Sequence, residues 1–192
     1  MRDDQVTALI LAGGKATRLG GLAKHEIVVG GRTIFERQVA VLAPRVQEIV
    51  VATAHDLAGY RCVRDVQPDV GPLAGIAAGL AAMRTPWLLV VAGDMPHLTG
   101  EVIDELVGAA RDGDDAVGVR IGGLPEPLVA VLHERVRPAV ARRIENRRNK
   151  VSGLLTDERL AVRWLDLDAH LQAFSNINVP EDLGGITASK PA

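Results

Sequence analysis

Apolar positions along the chain fall into short dense runs and longer spaced stretches, and the two patterns alternate. Val6–Leu11 (VTALIL) is a compact apolar run that stops at Gly13-Gly14 and predicts a buried first strand. Residues 33–43 carry apolar positions at helical spacing, with Thr33 placed to cap the start and Pro44 past the end. Residues 48–53 (EIVVAT) predict a second strand and 61–64 a short third one. Residues 71–83 are alanine-rich at helical spacing, bounded by Pro72 and Pro86, and 87–91 (WLLVV) form another fully apolar strand. A helix follows over 99–110, where Thr99 faces Val102 rather than an acid, so only half of a capping box is present. Strands are predicted at 116–119, 128–132 and 160–165, a basic helix at 134–144, and a closing turn and short helix at 176–183.

Strand and helix alternate through most of this pattern, which predicts an α/β three-layer sandwich on a mostly parallel central sheet. Ligands of such sheets bind beyond the carboxyl ends of the strands. Two unusual stretches fall there, 11–24 and 92–96. No linker divides the chain, so 1–186 is expected as one domain and 187–192 as a loose tail.

Composition narrows the picture. Hydrophobic residues make up 47% but aromatics only 3%, so the core must be built from Val, Leu, Ile and Ala, as in a parallel sheet covered on both faces. A formal net charge of −2 gives no basic excess for nucleic acid. Cys62, the one cysteine, excludes an intrachain disulfide and a cysteine zinc cluster, and is expected as a small buried strand residue. No apolar run approaches the ~20 residues of a membrane span. The opening MRDDQ lacks a signal-peptide pattern, and the expected setting is the cytoplasm.

The first candidate stretch reads Leu11-Ala12-Gly13-Gly14-Lys15-Ala16-Thr17-Arg18-Leu19-Gly20-Gly21-Leu22-Ala23-Lys24. It is neither a Walker loop nor a dinucleotide fingerprint. Adjacent glycines after a buried strand let main-chain N–H groups approach a base or phosphate. Arg18 and Lys24 can offset triphosphate charge, the arginine by a fork and the lysine as a point charge. A plain glycine turn with solvated cations fits the same residues. In the second stretch, Asp94 follows an apolar strand and one glycine. A carboxylate there suits Mg2+, which prefers one or two carboxylates plus phosphate oxygens and water. A turn-capping role is the alternative. Asp65 follows the short strand, and Asp69 precedes Gly71-Pro72-Leu73-Ala74-Gly75, where a helix start could pack against a bound base. None of the five histidines pairs with another at metal-ligand spacing.

Four elements in order, LAGG-x-x-x-R-L-GG-x-x-K, GPLAG, GDMP and NINVPEDL, resemble the molybdenum cofactor guanylyltransferases, the MobA-like members of the nucleotidyltransferases. The similarity runs from about Ala8 to Leu183. The resemblance implies a Rossmann-like nucleotidyltransferase fold that joins GMP from GTP to molybdenum-bearing molybdopterin and releases pyrophosphate, with Mg2+. It implies nucleotide contacts at Leu11, Ala12, Gly13, Gly14, Lys24, Asp65, Gly71, Pro72, Leu73 and Asp94. Asp94 would also bind the metal, and Arg18, Lys24 and Asp94 would be catalytic. Arg147, Arg148, Asn176 and Asn178 would meet the acceptor, and cofactor-delivery proteins or recipient molybdoenzymes are the implied protein partners.

The chain departs from the family at Ala23, where Asp is usual, at Ala52 in place of Asn, at His25-Glu26 in place of a Gly-Leu pair, and at Glu126 in place of His. Two other readings therefore stand beside the first. One is the same chemistry with CTP or another phosphorylated acceptor; the other is a nucleotide-binding protein with weakened catalysis.

Overall fold

The computed structural model describes residues 3–13, 24–64 and 70–176, with only the main chain of Asp3 and Lys24. Nine strands and five α-helices are described: β1 Val6–Leu11, β2 Val28–Val29, β3 Arg32–Thr33, α1 Ile34–Leu42, β4 Glu48–Ala52, β5 Arg61–Val63, α2 Pro72–Ala82, β6 Trp87–Ala92, α3 Gly100–Ala109, β7 Ala116–Ile121, β8 Leu124–His133, α4 Arg137–Glu145, α5 Val151–Leu155 and β9 Val162–Asp166. Seven strands make one sheet in the order β5-β4-β1-β6-β8-β7-β9, and β2 and β3 pair as a separate hairpin. Within the large sheet only β8 runs against its neighbours.

The alternation of side chains along β1 explains the layers. Ala8 and Ile10 face a cluster that includes Leu42, Val102, Ile103, Leu106 and Phe174, from α1, α3 and the 3-10 helix Asp168–Phe174. Leu9 faces the other way, onto Leu73, Ile76, Leu80, Val140 and Leu154 of α2, α4 and α5. Both faces are thus dry, which is why the central strands read as unbroken apolar runs.

The predicted helix caps are present. Thr33 and Glu36 close a full capping box, at 3.0 and 2.7 Å, whereas Thr99 accepts only from Val102 N–H, at 3.4 Å. Three expectations need correction. The strand expected at 128–132 starts at Leu124, because Pro125 and Pro127 lie beyond the β6 pairing, at a register shift opposite Gly118 and Val119. The helix expected at 134–144 is a 3-10 turn, Glu134–Val136, followed by α4, because Pro138 in the first turn forbids α-helical bonding further back. Cys62 is in a strand as expected, but β5 is the sheet edge, so it is only part-buried. The hairpin β2–β3 and the short α5 were not anticipated, and the closing helix expected at 176–183 lies outside the described residues apart from Asn176. Strands β7 and β8 join through Gly122-Gly123, whose φ values of 58° and 75° are those of a two-residue hairpin turn.

Candidate active site

The carboxyl ends of Val63, Ala52, Leu11 and Ala92 lie side by side in register at one end of the sheet. From β1 the chain moves outward to β4 and β5, then crosses to β6 on the other side. A crevice therefore opens beyond β1 and β6, the switch point where ligands of such sheets bind. Ala12 and Gly13 follow β1 at this end of the sheet, and Gly93 and Asp94 follow β6 there.

The backbone at this seam is close-packed. Gly93 N–H donates to Leu11 C=O at 3.1 Å, and a Cβ on Gly93 would lie 2.7 Å from that oxygen. Only glycine lets β6 turn here without parting from β1. Ala12 N–H is already shared between Ile10 C=O at 3.1 Å and Ala52 C=O at 2.9 Å, so Gly13, which is exposed, is the first residue that can offer its amide outward. Ala52 is buried, and its carbonyl accepts from Ala12 N–H.

Of the other expected nucleotide residues, Gly71, Pro72 and Leu73 form the start of α2, a helix whose first turn points toward the same end of the sheet. Leu73 itself is fully buried in the core and can contribute only main chain. Lys24 opens the 3-10 turn Lys24–Glu26. Gly14, Arg18, Asp65 and Asn178 lie outside the described residues. Helix α4 begins after β8 has run to the far end of the sheet, and Arg147 and Arg148 lie exposed just past its last turn. Arg147 has a φ of 56°, in the left-handed region. Asn176 is exposed beyond Phe174 and Ser175.

On the β8–β7 side of β6, away from β1, lies a cavity of about 780 Å³. His97, Glu126, Gln172 and Ser175 supply its polar wall, and Leu124 and Leu171 stand exposed at it. Burial raises the Glu126 carboxyl above its usual range and the charge of Asp94 adds to this, while a hydrogen bond with the Leu128 main chain opposes both. Asp94 and Glu126 thus sense each other across the end of β6 and β8. Among the described residues no group of three or more His, Cys, Asp or Glu is placed to hold a metal. The donor set fits a hard cation that takes one or two carboxylates and completes its shell with phosphate and water, as Mg2+ does.

Of two buried polar residues near the site, Gln38 was not singled out in the sequence and His25 was given no role there. Gln38 lies on the buried stripe of α1, between Ile34 and Leu42, and its Nε2 donates to Ala92 C=O at 2.7 Å and Met95 C=O at 3.2 Å. A glutamine at a core-facing helical position was the available signal. His25 is buried against the edge of the Phe35 ring, with a hydrogen bond to the Ala12 main chain. Desolvation holds its pKa below the usual histidine value, against the charge of Glu26 and the Ala12 bond.

Residues 8–160 match the model of the MobA-like NTP transferase domain. The chain belongs to this family. As a MobA-like transferase it is 35% identical, over 91% of its length and 94% of the relative's, to a molybdenum cofactor guanylyltransferase of Pseudomonas putida. It is 27% identical, over 95% of each chain, to a protein of the same name in Vibrio campbellii. Among solved structures, the molybdopterin-guanine dinucleotide biosynthesis protein A of Archaeoglobus fulgidus superposes with a TM-score of 0.77 at 28% identity, covering 93% of this chain and 95% of that one. A cytidylyltransferase of Thermus thermophilus shares the fold, with a TM-score of 0.67 at 18% identity over 93% and 95% of the two chains.

Proposed function

We propose that the chain transfers GMP from GTP to molybdenum-bearing molybdopterin, forming the guanine dinucleotide and pyrophosphate, with Mg2+ as cofactor. The observation that carries this reading is the place of Asp94, at the seam between the glycine-loop half of the sheet and the cavity half. A group there can face both substrates of a transfer. The 35% identity to a guanylyltransferase over nearly the whole chain supports GTP and molybdopterin as those substrates.

In this reading Leu11, Ala12, Gly13, Gly14, Asp65, Gly71, Pro72 and Leu73 surround the nucleotide, while Arg18 and Lys24 oppose its triphosphate. Asp94 would hold the cation, with the Glu126 carboxylate nearby. Bound there, Mg2+ would supply positive charge to the phosphates. An oxygen of the acceptor's terminal phosphate attacks the α-phosphorus in line, the new P–O bond forms, and the bond to the β-phosphate bridging oxygen breaks. Pyrophosphate leaves with the electron pair, its charge met by Arg18 and Lys24. The nucleophile is already anionic near neutral pH, so the protein's task is positioning and charge stabilisation rather than proton removal. The cavity beside Glu126 takes the pterin end of the acceptor, with Asn176 and Asn178 on the pterin side, and Arg147 and Arg148 meet its phosphate. Leu124 and Leu171 would lose their exposure to water against a flat heterocycle. The proposed setting is the cytoplasm, where delivery proteins and recipient molybdoenzymes would be met; among the described residues no helix is long and apolar enough to cross a membrane.

Purified protein incubated with Mg2+, molybdenum-loaded molybdopterin and either GTP or CTP tests the reading through pyrophosphate release and product mass. A guanine dinucleotide from GTP alone supports it. A cytosine product would assign the related chemistry instead, and no product from folded protein would refute both. Asp94→Ala and Lys24→Ala should each lower turnover by about two orders of magnitude, since one charge-stabilising contact is typically worth ~3–4 kcal/mol. Near-normal turnover would remove that residue from the mechanism.

A further inference from the structure

Three main-chain carbonyls of the turn that carries Asp94 are gripped by two consecutive residues of α1. Gln38 Nε2 donates to Ala92 C=O and Met95 C=O, at 2.7 and 3.2 Å, which bracket Gly93 and Asp94. Arg37 Nε donates to Pro96 C=O at 3.0 Å, and its Nη1 ties the same side chain to Val29 C=O in the hairpin β2–β3, at 3.2 Å. We propose that Gln38, assisted by Arg37, is a positioning residue for the divalent cation, fixing the direction of the Asp94 carboxylate through the carbonyls on either side of it. The proposal rests on the transferase reading above.

An ordinary core role does not account for this glutamine. Its neighbours on the buried stripe are Ile34 and Leu42, and a leucine would fill the position without desolvating an amide. Gln38 is 1% exposed, and its Oε1 finds no partner among the described residues, so the amide is held for what its N–H groups do. The groups it satisfies have no substitute, because Ala92 and Met95 are themselves buried and water cannot replace the donor. Without the clamp, the turn must rotate to find other partners, and Asp94 rotates with it. On the other side Gly93 N–H donates to Leu11 C=O and holds the start of the turn. The clamp also joins the two halves of the site along the chain, since α1 and the hairpin follow directly from the lysine end of the glycine stretch.

The test is Gln38→Met, which keeps the volume and removes the donors. Its control is Leu80→Ala, a core truncation on the opposite face of the sheet near the end of α2 distant from the crevice. Binding of Mn2+ in the presence of GTP is followed by the paramagnetic resonance of the free ion. Main-chain amide exchange is followed at residues 93–95, and kcat and KM for GTP under saturating acceptor. Gln38→Met should bind Mn2+ at least about tenfold more weakly and lose at least about tenfold in kcat, as a carboxylate displaced by ~1 Å would. KM for GTP should stay within about threefold, and amides 93–95 should exchange faster. Leu80→Ala should lose stability but keep Mn2+ affinity and kcat. Unchanged Mn2+ affinity and kcat in Gln38→Met would overturn the proposal and leave the glutamine a packing residue. If the wild-type protein itself takes up no Mn2+ with GTP, the transferase reading fails, and unchanged exchange at 93–95 in Gln38→Met would then dismiss the clamp separately.

Discussion

Arg147 is the described non-glycine residue with a left-handed backbone, and its replacement by glycine separates stability from function. The residue sits just after the last turn of α4. There Arg147 N–H donates to Ile144 C=O at 3.0 Å and Arg148 N–H to Arg143 C=O at 2.8 Å, the paired bonds of a Schellman cap. Both bonds are main-chain and survive the substitution. A side chain at this φ costs about 1–2 kcal/mol. Glycine returns about 0.4–1 kcal/mol of that through the greater freedom of the unfolded chain. The net expectation for Arg147→Gly is a gain of about 0.5–1 kcal/mol, or roughly 1–4 °C in melting temperature for a chain of this size. Urea and thermal unfolding measure it. If Arg147 meets the acceptor phosphate as proposed, the same variant loses a charge-assisted hydrogen bond worth about 1.5–3 kcal/mol, so KM for the acceptor rises about ten- to a hundredfold with KM for GTP unchanged. A loss of stability would refute the backbone argument. A gain in stability with unchanged acceptor KM would show that the arginine is not part of acceptor recognition.

Gly93→Ala should destabilise the protein by about 1–3 kcal/mol, as overpacking does, and should lower kcat, because the new Cβ meets main chain of Leu11 and Ala12 rather than a side chain that can move. Wild-type stability in urea would contradict the close approach of β1 and β6. His25→Phe keeps the buried ring and removes its bond to the Ala12 main chain. It should weaken GTP binding measured by calorimetry, and equal affinity would make His25 a space filler. Asp114 is held below the ordinary carboxylate range chiefly by its hydrogen bonds to Arg163, at 2.8 and 3.2 Å, with desolvation opposing. The native state therefore binds this proton less readily than the unfolded chain. Its stabilisation is complete above the unfolded value of 3.8 and is lost as pH falls through the lower native one. Asp114→Asn should thus be less stable than wild type in urea at pH 7, with the gap closing below 3.8; a gap independent of pH would refute the assignment.

The central strands were legible because burial on both faces forces unbroken apolar runs, as in β1 and β6. The reversal of β8 was not, since antiparallel and parallel pairing ask the same apolar pattern of a strand inside a two-faced core. Asp94 could be read as a candidate site residue from its position after a strand and a glycine. Gln38 and His25 could not be assigned roles, because each acts on main-chain carbonyls distant in sequence that only the fold brings near. At Ala52 the sequence showed a departure from the family's polar residue, but not that its carbonyl would accept from Ala12 N–H at the end of β1.

The two-residue turn between β7 and β8 bears on the order of folding. Most neighbours in the large sheet are separated by a helix or more of intervening chain, whereas Ile121 and Leu124 meet across Gly122-Gly123 alone. A pairing of that kind closes in about 1–10 μs, while long-range parallel pairs wait on loop closure. The reversed strand therefore gives this chain a ready-made nucleus on the cavity half of the molecule, against which β6 and then the glycine-loop half assemble. Amides of β7 and β8 should gain protection from exchange before those of β1 and β4, and the half proposed to hold the nucleotide should be the last to become rigid.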